Sequence, residues 1–273
     1  MKNIWIMTLY TLREALARKV FLFFLGISVL VIIGMAIIFS IVNTAALIEG
    51  INPTGNELVL TEIITVLELM IINPLSGLCL LLAIFSSSSF VPLMLEKGNI
   101  DLLLSKPVSR NQLLLGKYFG GMLVVLINIA FLILGVWLVI SLKFSYWDFS
   151  FLSVILVVTF TFAVLYSIIV LFGVITQSSV FGMMTAYFIF LILSPILLIG
   201  KEKWQILIES DFIKTVIEAL YYIIPKTSEL MGIIMINLTS GKGITDYQPV
   251  LSSLLFLILA LIYGLFLFNK KDF

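Results

Sequence analysis

The chain has 273 residues, of which 62% are hydrophobic and 11% are charged, and its formal net charge is +1. A soluble domain is about 45–50% apolar and about 25% charged, so this composition excludes an ordinary soluble fold and predicts an integral membrane protein. The nearly neutral charge argues against nucleic acid as a partner. The chain has no histidine and a single cysteine, Cys79, which argues against an internal disulfide framework and against the common metal and haem sites.

Residues 1–19 are predicted to form an amphipathic helix that lies in the membrane interface. Apolar side chains recur at helical spacing on one side, and polar side chains occupy the other. The apolar side holds Trp5, Leu9, Leu12, Leu16 and Val20, and the polar side holds Asn3, Thr11, Glu14 and Arg18. Glu14 and Arg18 are also spaced for an ion pair along the helix. The alternative is a simple extension of the first membrane span.

Six apolar runs follow, each long enough to cross a bilayer, which takes about 20 residues of helix. The predicted spans are residues 20–42, 70–95, 120–142, 151–175, 180–200 and 250–268. Only helices or closed barrels satisfy the backbone in lipid, and no alternating barrel pattern is present. We therefore predict one all-α transmembrane domain covering residues 1–273.

The distribution of basic residues predicts the orientation. Lysine and arginine cluster before the first span, in residues 96–118 and in the C-terminal tail, whereas residues 43–69 contain four glutamates and no basic residue. Short loops rich in lysine and arginine stay in the cytoplasm. We therefore expect both termini and residues 96–118 to be cytoplasmic, in a multi-pass protein of the plasma membrane.

Residues 201–249 are predicted to form an outer loop. Its stretch FIKTVIEALYYIIP is typical of an interfacial or partly re-entrant helix that Pro225 ends. A seventh span at this position is the alternative, and it would place the C-terminus outside.

The connection at 96–118 contains the signals of a short helix between two turns. Gly98 can end the preceding helix, and Asn99 can cap the next one. Pro107 ends that short helix. Ser109 has Gln112 three residues later, which predicts a capping box at the start of span three. Such a helix could dock on a partner or lie flat on the membrane, because both roles favour an amphipathic helix.

The run EKGNIDLLLSKPVSRNQLLLGK resembles the signature of ABC-2 type transporter permeases, in particular the branch with permeases for nitrous-oxide-reductase maturation and gliding-associated exporters. The matching residues are Glu96, Gly98, Leu104, Ser105, Pro107, Val108, Ser109, Arg110, Gly116 and Lys117. The stretches REALARKVFL and the terminal FNKKDF resemble the same family more weakly.

This resemblance implies that residues 96–118 form a cytoplasmic coupling helix, which rests on an ATP-binding cassette subunit that holds ATP and magnesium. It also implies a second permease subunit, with membrane lipids around the pair. The residues expected to bind the ATP-binding subunit are Glu96, Gly98, Ile100, Asp101, Leu103, Leu104, Pro107, Ser109 and Arg110. Arg110 and Lys117 are expected to pair with carboxylates of that subunit, or Lys117 to anchor at lipid headgroups. Because the chain lacks a phosphate-binding Gly-x-x-x-x-Gly-Lys-Ser/Thr loop, we expect it to be no enzyme.

Small polar and adaptable side chains in spans two and five are candidates for a translocation path. They are Ser86, Ser89, Met183, Met184 and Tyr187. The alternative is ordinary helix packing, with serine hydroxyls bonded to their own helix and methionines facing lipid. No charge lies centrally in a predicted span, and Glu68 is expected to be solvated near the outer mouth of span two, which argues against an ion-coupled carrier.

The sequence therefore predicts the permease subunit of an ATP-driven exporter, with ATP hydrolysis in a separate subunit. One alternative is an assembly or immunity factor that uses the same scaffold without transport. A secondary transporter is the other.

Overall fold

The computed structural model describes residues 2–17, 19–41, 57–105, 108–199 and 211–271, and every regular element within these ranges is helical. A short 3-10 turn precedes α7. The helices are α1 (Lys2–Ala17), α2 (Lys19–Ile41), α3 (Glu57–Ser87), α4 (Phe90–Met94), α5 (Asn99–Leu104), α6 (Arg110–Phe144), α7 (Ser153–Thr176), α8 (Ser179–Ile199), α9 (Asp211–Ile223), α10 (Thr227–Thr239) and α11 (Gln248–Lys270). The predicted all-α fold is confirmed.

Among the described residues, six helical stretches are long and apolar enough to cross a membrane. They are α2, α3 with α4, α6, α7, α8 and α11. Each of the six predicted spans corresponds to one of these stretches, and counting the bent pair α9 and α10 as one span would make seven.

Two helices extend well beyond the predicted spans. α3 begins at Glu57 instead of near residue 70, and α6 begins at Arg110 instead of near residue 120. The 35 residues of α6 make a helix about 52 Å long, whereas the hydrocarbon core of a bilayer is about 30 Å thick. Hydropathy detects only the part of a helix that lies in hydrocarbon, so it misses turns that continue into the polar layers.

α7 is the central helix of the bundle. It is buried along most of its length, and α6, α8 and α11 pack around it, with α2 packed against α6. Tyr166 of α7 is fully buried and stacks between Phe162 and Tyr118, the latter from α6. The outer sides of α2, α8 and α11 expose large apolar side chains, as expected for helices that face lipid or another membrane protein.

α1 packs lengthwise along the start of α6. Met7 lies opposite Gly116 and Thr11 lies opposite Gly120, so that the two helices run in the same direction. A Cβ atom added at either glycine would lie 2.4 Å from the Cβ atom of its neighbour on α1. This small-xxx-small pair therefore allows the two backbones to approach closely.

The side of α1 that faces α6 differs from the predicted one. Thr11, predicted on the polar side, is buried against α6, whereas Trp5 and Leu9 are exposed as a lipid-facing side would be. The predicted pair of Glu14 with Arg18 lies partly outside the described residues. The depth of α1 in the membrane interface stays a prediction.

The predicted outer loop is largely helical where it is described. Its residues 201–210 lie outside the described ranges. The expected helix before Pro225 is present as α9, and a second helix, α10, follows it at an angle of 64°. Such a bent pair is either a broken span or a re-entrant loop. α10 reaches the bundle, because the backbone N–H of Ser228 donates a hydrogen bond of 2.9 Å to the Ser194 hydroxyl of α8.

Candidate functional site

α5 follows a tight turn that requires glycine. Gly98 has φ of +92°, a backbone conformation that costs little only without a side chain. The prediction that Asn99 caps the helix is wrong, because Gly98 is the N-cap. The Asn99 amide instead donates a hydrogen bond of 3.0 Å to the Leu93 carbonyl of α4. The turn at Gly98 is thus fastened back onto the end of span two.

α5 has an anchored side and an exposed side. Ile100 is only 2% exposed and belongs to the core of the chain, whereas Leu102 is 69% exposed. Asp101 is exposed and Leu103 is half-buried. Ile100 therefore packs inside the chain, and a partner contact of its side chain stays a prediction. Leu102, absent from the predicted set, is an exposed apolar residue of this helix.

The remaining predicted residues of this segment flank α5. Glu96 and Ser109 are exposed, before and after the helix. Pro107 lies outside the described residues, as does the side chain of Leu104. Partner binding by this segment stays a prediction.

The capping box at the start of α6 is confirmed. The backbone N–H of Gln112 donates to the Ser109 hydroxyl at 3.3 Å, and the Ser109 backbone N–H donates to the Gln112 side-chain oxygen at 3.2 Å. The same oxygen accepts a hydrogen bond from Asn3 of α1 at 3.3 Å. The exit from the α5 segment is therefore fixed locally and also held by α1.

Lys117 lies behind α5 and forms an ion pair within the chain. Its ammonium is 2.5 Å from a carboxylate oxygen of Glu14, and its side chain is buried. The expected contact of Lys117 with a partner carboxylate or with lipid headgroups is therefore wrong. Glu14 and Lys117 line a cavity of about 450 Å³ together with Tyr10, Asn99 and Leu102, so the cavity opens between α1 and α5.

Arg110 also has partners within the chain. Its guanidinium donates hydrogen bonds to the backbone carbonyls of Asn269, at 3.2 Å, and Lys271, at 2.6 Å. The start of α6 is thereby joined to the end of α11. Binding of Arg110 to another subunit stays a prediction.

The candidate path residues have different surroundings. Ser89 lines a cavity of about 460 Å³ with Glu96, Gln177 and neighbouring serines, at the α5 end of the bundle. Ser86 is buried within the chain and does not line that cavity. Its neighbours Ser87 and Ser88 donate to carbonyls of their own helix, as the packing alternative for this run predicts.

The candidates on α8 lie on two sides of that helix. Met184 is exposed and Met183 is half-buried. The Tyr187 hydroxyl donates a hydrogen bond of 2.8 Å to the Leu81 carbonyl, which joins α8 to α3. A role for any of them in a path stays a prediction.

Several charged side chains inside the bundle were missed. Glu68 of α3 is 1% exposed, and one of its carboxylate oxygens has no hydrogen-bond partner among the described residues. The prediction that it is solvated is wrong. Lys226 and Glu229 are buried at the bend between α9 and α10, where the Tyr221 hydroxyl donates to Glu229 at 2.6 Å. A lack of buried charge therefore no longer argues against an ion-coupled carrier.

Comparison with known families supports a permease subunit over a secondary transporter. A model described as ABC-2 family transporter protein matches residues 13–273 of the chain. The chain belongs to the ABC-2 transporter family. An ABC-2 permease is the membrane component of a transporter and is not itself catalytic, and membership implies an ATP-binding cassette partner in general. No curated protein matches the chain in a sequence comparison.

Proposed function

We propose that this ABC-2 permease subunit exports its substrate across the plasma membrane, with both termini in the cytoplasm. It pairs with a second permease subunit, and a separate subunit that binds ATP and magnesium supplies the energy. We also propose that the chain belongs to the branch of permeases for nitrous-oxide-reductase maturation and gliding-associated export, because its residues 96–118 resemble them.

The observation that carries the proposal is the exposed, rigidly held α5. Its entry is fixed by the Asn99–Leu93 hydrogen bond, and its exit by the Ser109 capping box. Between them, Leu102 projects from the body while Ile100 anchors the helix in the core. A surface that is ordered before binding loses little entropy on association. Rigid attachment also lets a force on the exposed side reach the bundle.

The distribution of charge supports a cytoplasmic position for α5. The segment around it carries Lys97 and Arg110, and the C-terminal end of α11 at the same end of the bundle carries Lys270 and Lys271. Basic residues in short connections favour the cytoplasm. This is the side on which ATP is available.

The path that we propose runs beside α4 and α8, between two permease subunits. At the α5 end, the cavity with Ser89 and Glu96 offers polar groups. Farther along α8, Met184 and its exposed apolar neighbours offer an adaptable surface. The arrangement suits an amphipathic substrate that enters through the polar cavity.

The substitution Leu102→Asp tests the coupling role of α5. Because Leu102 is largely exposed, the change should leave folding intact while placing a charge in the contact with the ATP-binding subunit. Truncation of a hot-spot residue in an interface costs about 2 kcal/mol or more. We expect weaker co-purification with that subunit and less stimulation of its ATP hydrolysis in reconstituted membranes.

The matched control is Thr245→Asp, which adds the same charge at an exposed position in the loop before α11. It should leave both measurements unchanged. A Leu102→Asp permease that binds and stimulates the ATP-binding subunit as well as the Thr245→Asp control would refute the coupling role of α5.

A further inference from the structure

Three helix ends meet where the C-terminus of α11 reaches the start of α6. Arg110 donates to the carbonyls of Asn269 and Lys271, and the Asn269 amide donates to the Asn111 side-chain oxygen at 2.6 Å. The Lys271 ammonium in turn donates to the last turn of α7, at 2.5 Å to the Val174 carbonyl and at 3.4 Å to the Ile175 carbonyl. We call this set of six residues the C-terminal clamp.

Helix electrostatics explains why two cations are at this place. Arg110 is the first residue of α6, where the positive end of the helix dipole disfavours a cation. The last carbonyls of α11, which lack helical donors, offer Arg110 a negative helix end instead. Lys271 finds the same environment at the end of α7. Partial burial lowers the pKa of the Lys271 ammonium, as expected for a group held against protein.

The clamp lies directly beside the segment that the partner is proposed to contact. Arg110 follows Ser109, whose capping box fixes the first turn of α6. Only residues 105–109 separate α5 from α6. A displacement of α5 therefore reaches α6 at the point where α11 and α7 are attached to it.

We propose that the C-terminal clamp makes α6, α7 and α11 move as one unit when the ATP-binding subunit displaces α5. The inference rests on the proposed function, since it requires α5 to be the coupling helix. Arg110 and Lys271 are then positioning residues: they contact neither substrate nor nucleotide, and they pass the movement of α5 on to spans four and six.

Two substitutions open the clamp from its two sides. Arg110→Gln removes the charge that holds α11, and Lys271→Met removes the charge that holds α7. Lys270→Met is the matched control, because Lys270 is the neighbouring residue and its ammonium lies over the Phe266 ring at 4.4 Å, not in the clamp. All three remove one positive charge at the same end of the bundle.

The measurements separate assembly from coupling. Co-purification with the ATP-binding subunit should equal wild type in Lys271→Met and in Lys270→Met, since neither lysine is in the predicted partner-binding set. Stimulation of ATP hydrolysis by the permease should fall about tenfold in Arg110→Gln and in Lys271→Met, a size typical of coupling between sites. The Lys270→Met control should match wild type.

Each other result overturns the proposal. If Lys271→Met behaves as Lys270→Met does, the clamp carries no coupling. If Arg110→Gln loses binding to the ATP-binding subunit, Arg110 is a partner contact instead. If wild type itself neither binds nor stimulates that subunit, the proposed function fails and the clamp with it.

A cross-link provides a second measurement that keeps the contacts of Arg110 and Lys271 in the clamp. Cysteines replace Asn111 and Asn269 in a Cys79→Ala background, since Cys79 is the chain's only cysteine, and a short bis-maleimide then bridges them. A clamp that moves as one unit should keep its coupling after bridging. Loss of stimulation on bridging would show that the clamp must open, which contradicts the proposal.

Discussion

At the scale of single residues, the position of α1 depends on two glycines of α6. Gly116 and Gly120 allow α1 to approach α6 so closely that Met7 and Thr11 contact it. The same approach brings Glu14 within reach of Lys117. Two glycines thus decide both the packing of α1 and the partner of a buried lysine.

We predict that Gly120→Ala destabilises the protein. The added Cβ would lie 2.4 Å from the Cβ atom of Thr11, and relieving such overpacking costs about 1–3 kcal/mol. The matched control is Gly77→Ala in α3, where the added Cβ meets nothing within 4 Å. Thermal unfolding in detergent should show a lower midpoint for Gly120→Ala alone. Equal midpoints would show that α1 is not held by this crossing.

Residue-level features were predictable from sequence when they are local. The Ser109 capping box spans four residues and has a distinct pattern, so it was found. The exposed side of α5 was not found, because Ile100 and Leu102 are both apolar residues of one short helix, and only tertiary packing distinguishes its inside from its outside. The same holds for Lys117, whose partner Glu14 lies far away in the chain.

At the scale of elements, the bend between α9 and α10 is held by a buried polar network. The Tyr221 hydroxyl donates to Glu229, and the Lys226 ammonium lies 3.7 Å from the centre of the Tyr221 ring. The backbone N–H of Lys226 donates to the Ser253 hydroxyl of α11 at 3.1 Å. The bend is therefore attached to span six.

We predict that Tyr221→Phe loosens this bend. The change removes a donor from the buried Glu229 carboxylate, and a buried group left without its partner costs about 1–3 kcal/mol. Tyr222→Phe is the matched control, because the neighbouring Tyr222 is 66% exposed. Faster protease cleavage in residues 201–249 is expected for Tyr221→Phe and not for Tyr222→Phe. Identical cleavage rates in both variants would contradict a role for the network.

The sequence predicted α9 and missed α10 for a physical reason. α9 has a strong separation of apolar and polar residues before Pro225, which periodicity detects. α10 mixes buried charge with apolar residues and continues through a π-helical segment at Leu230–Ile234, so its periodicity departs from that of a regular helix. Its place in the bundle comes from contacts with α7 and α8.

At the scale of the whole molecule, the count of spans decides the topology. Six spans place both ends of the chain on one side, whereas a seventh formed by α9 and α10 would place them on opposite sides. Their 64° bend and the basic residues near both ends favour the first arrangement.

We predict that epitope tags at the two termini are accessible from the same side. In vesicles of known orientation, both tags should be protected from, or both exposed to, an added protease. A single cysteine at Thr245 in the Cys79→Ala background should react with an impermeant maleimide from the other side. One terminus on each side would show that α9 and α10 cross the membrane together.

The continuity of α6 has a geometric consequence for the proposed transporter. A rigid rod that tilts about a point inside the bilayer swings its two ends in opposite directions. α6 is uninterrupted over 35 residues, with α5 attached near one end and the loop to α7 at the other. If α6 is pushed toward the bundle axis at its end on the ATP-binding side, its other end would therefore move away from the axis at the far face of the membrane.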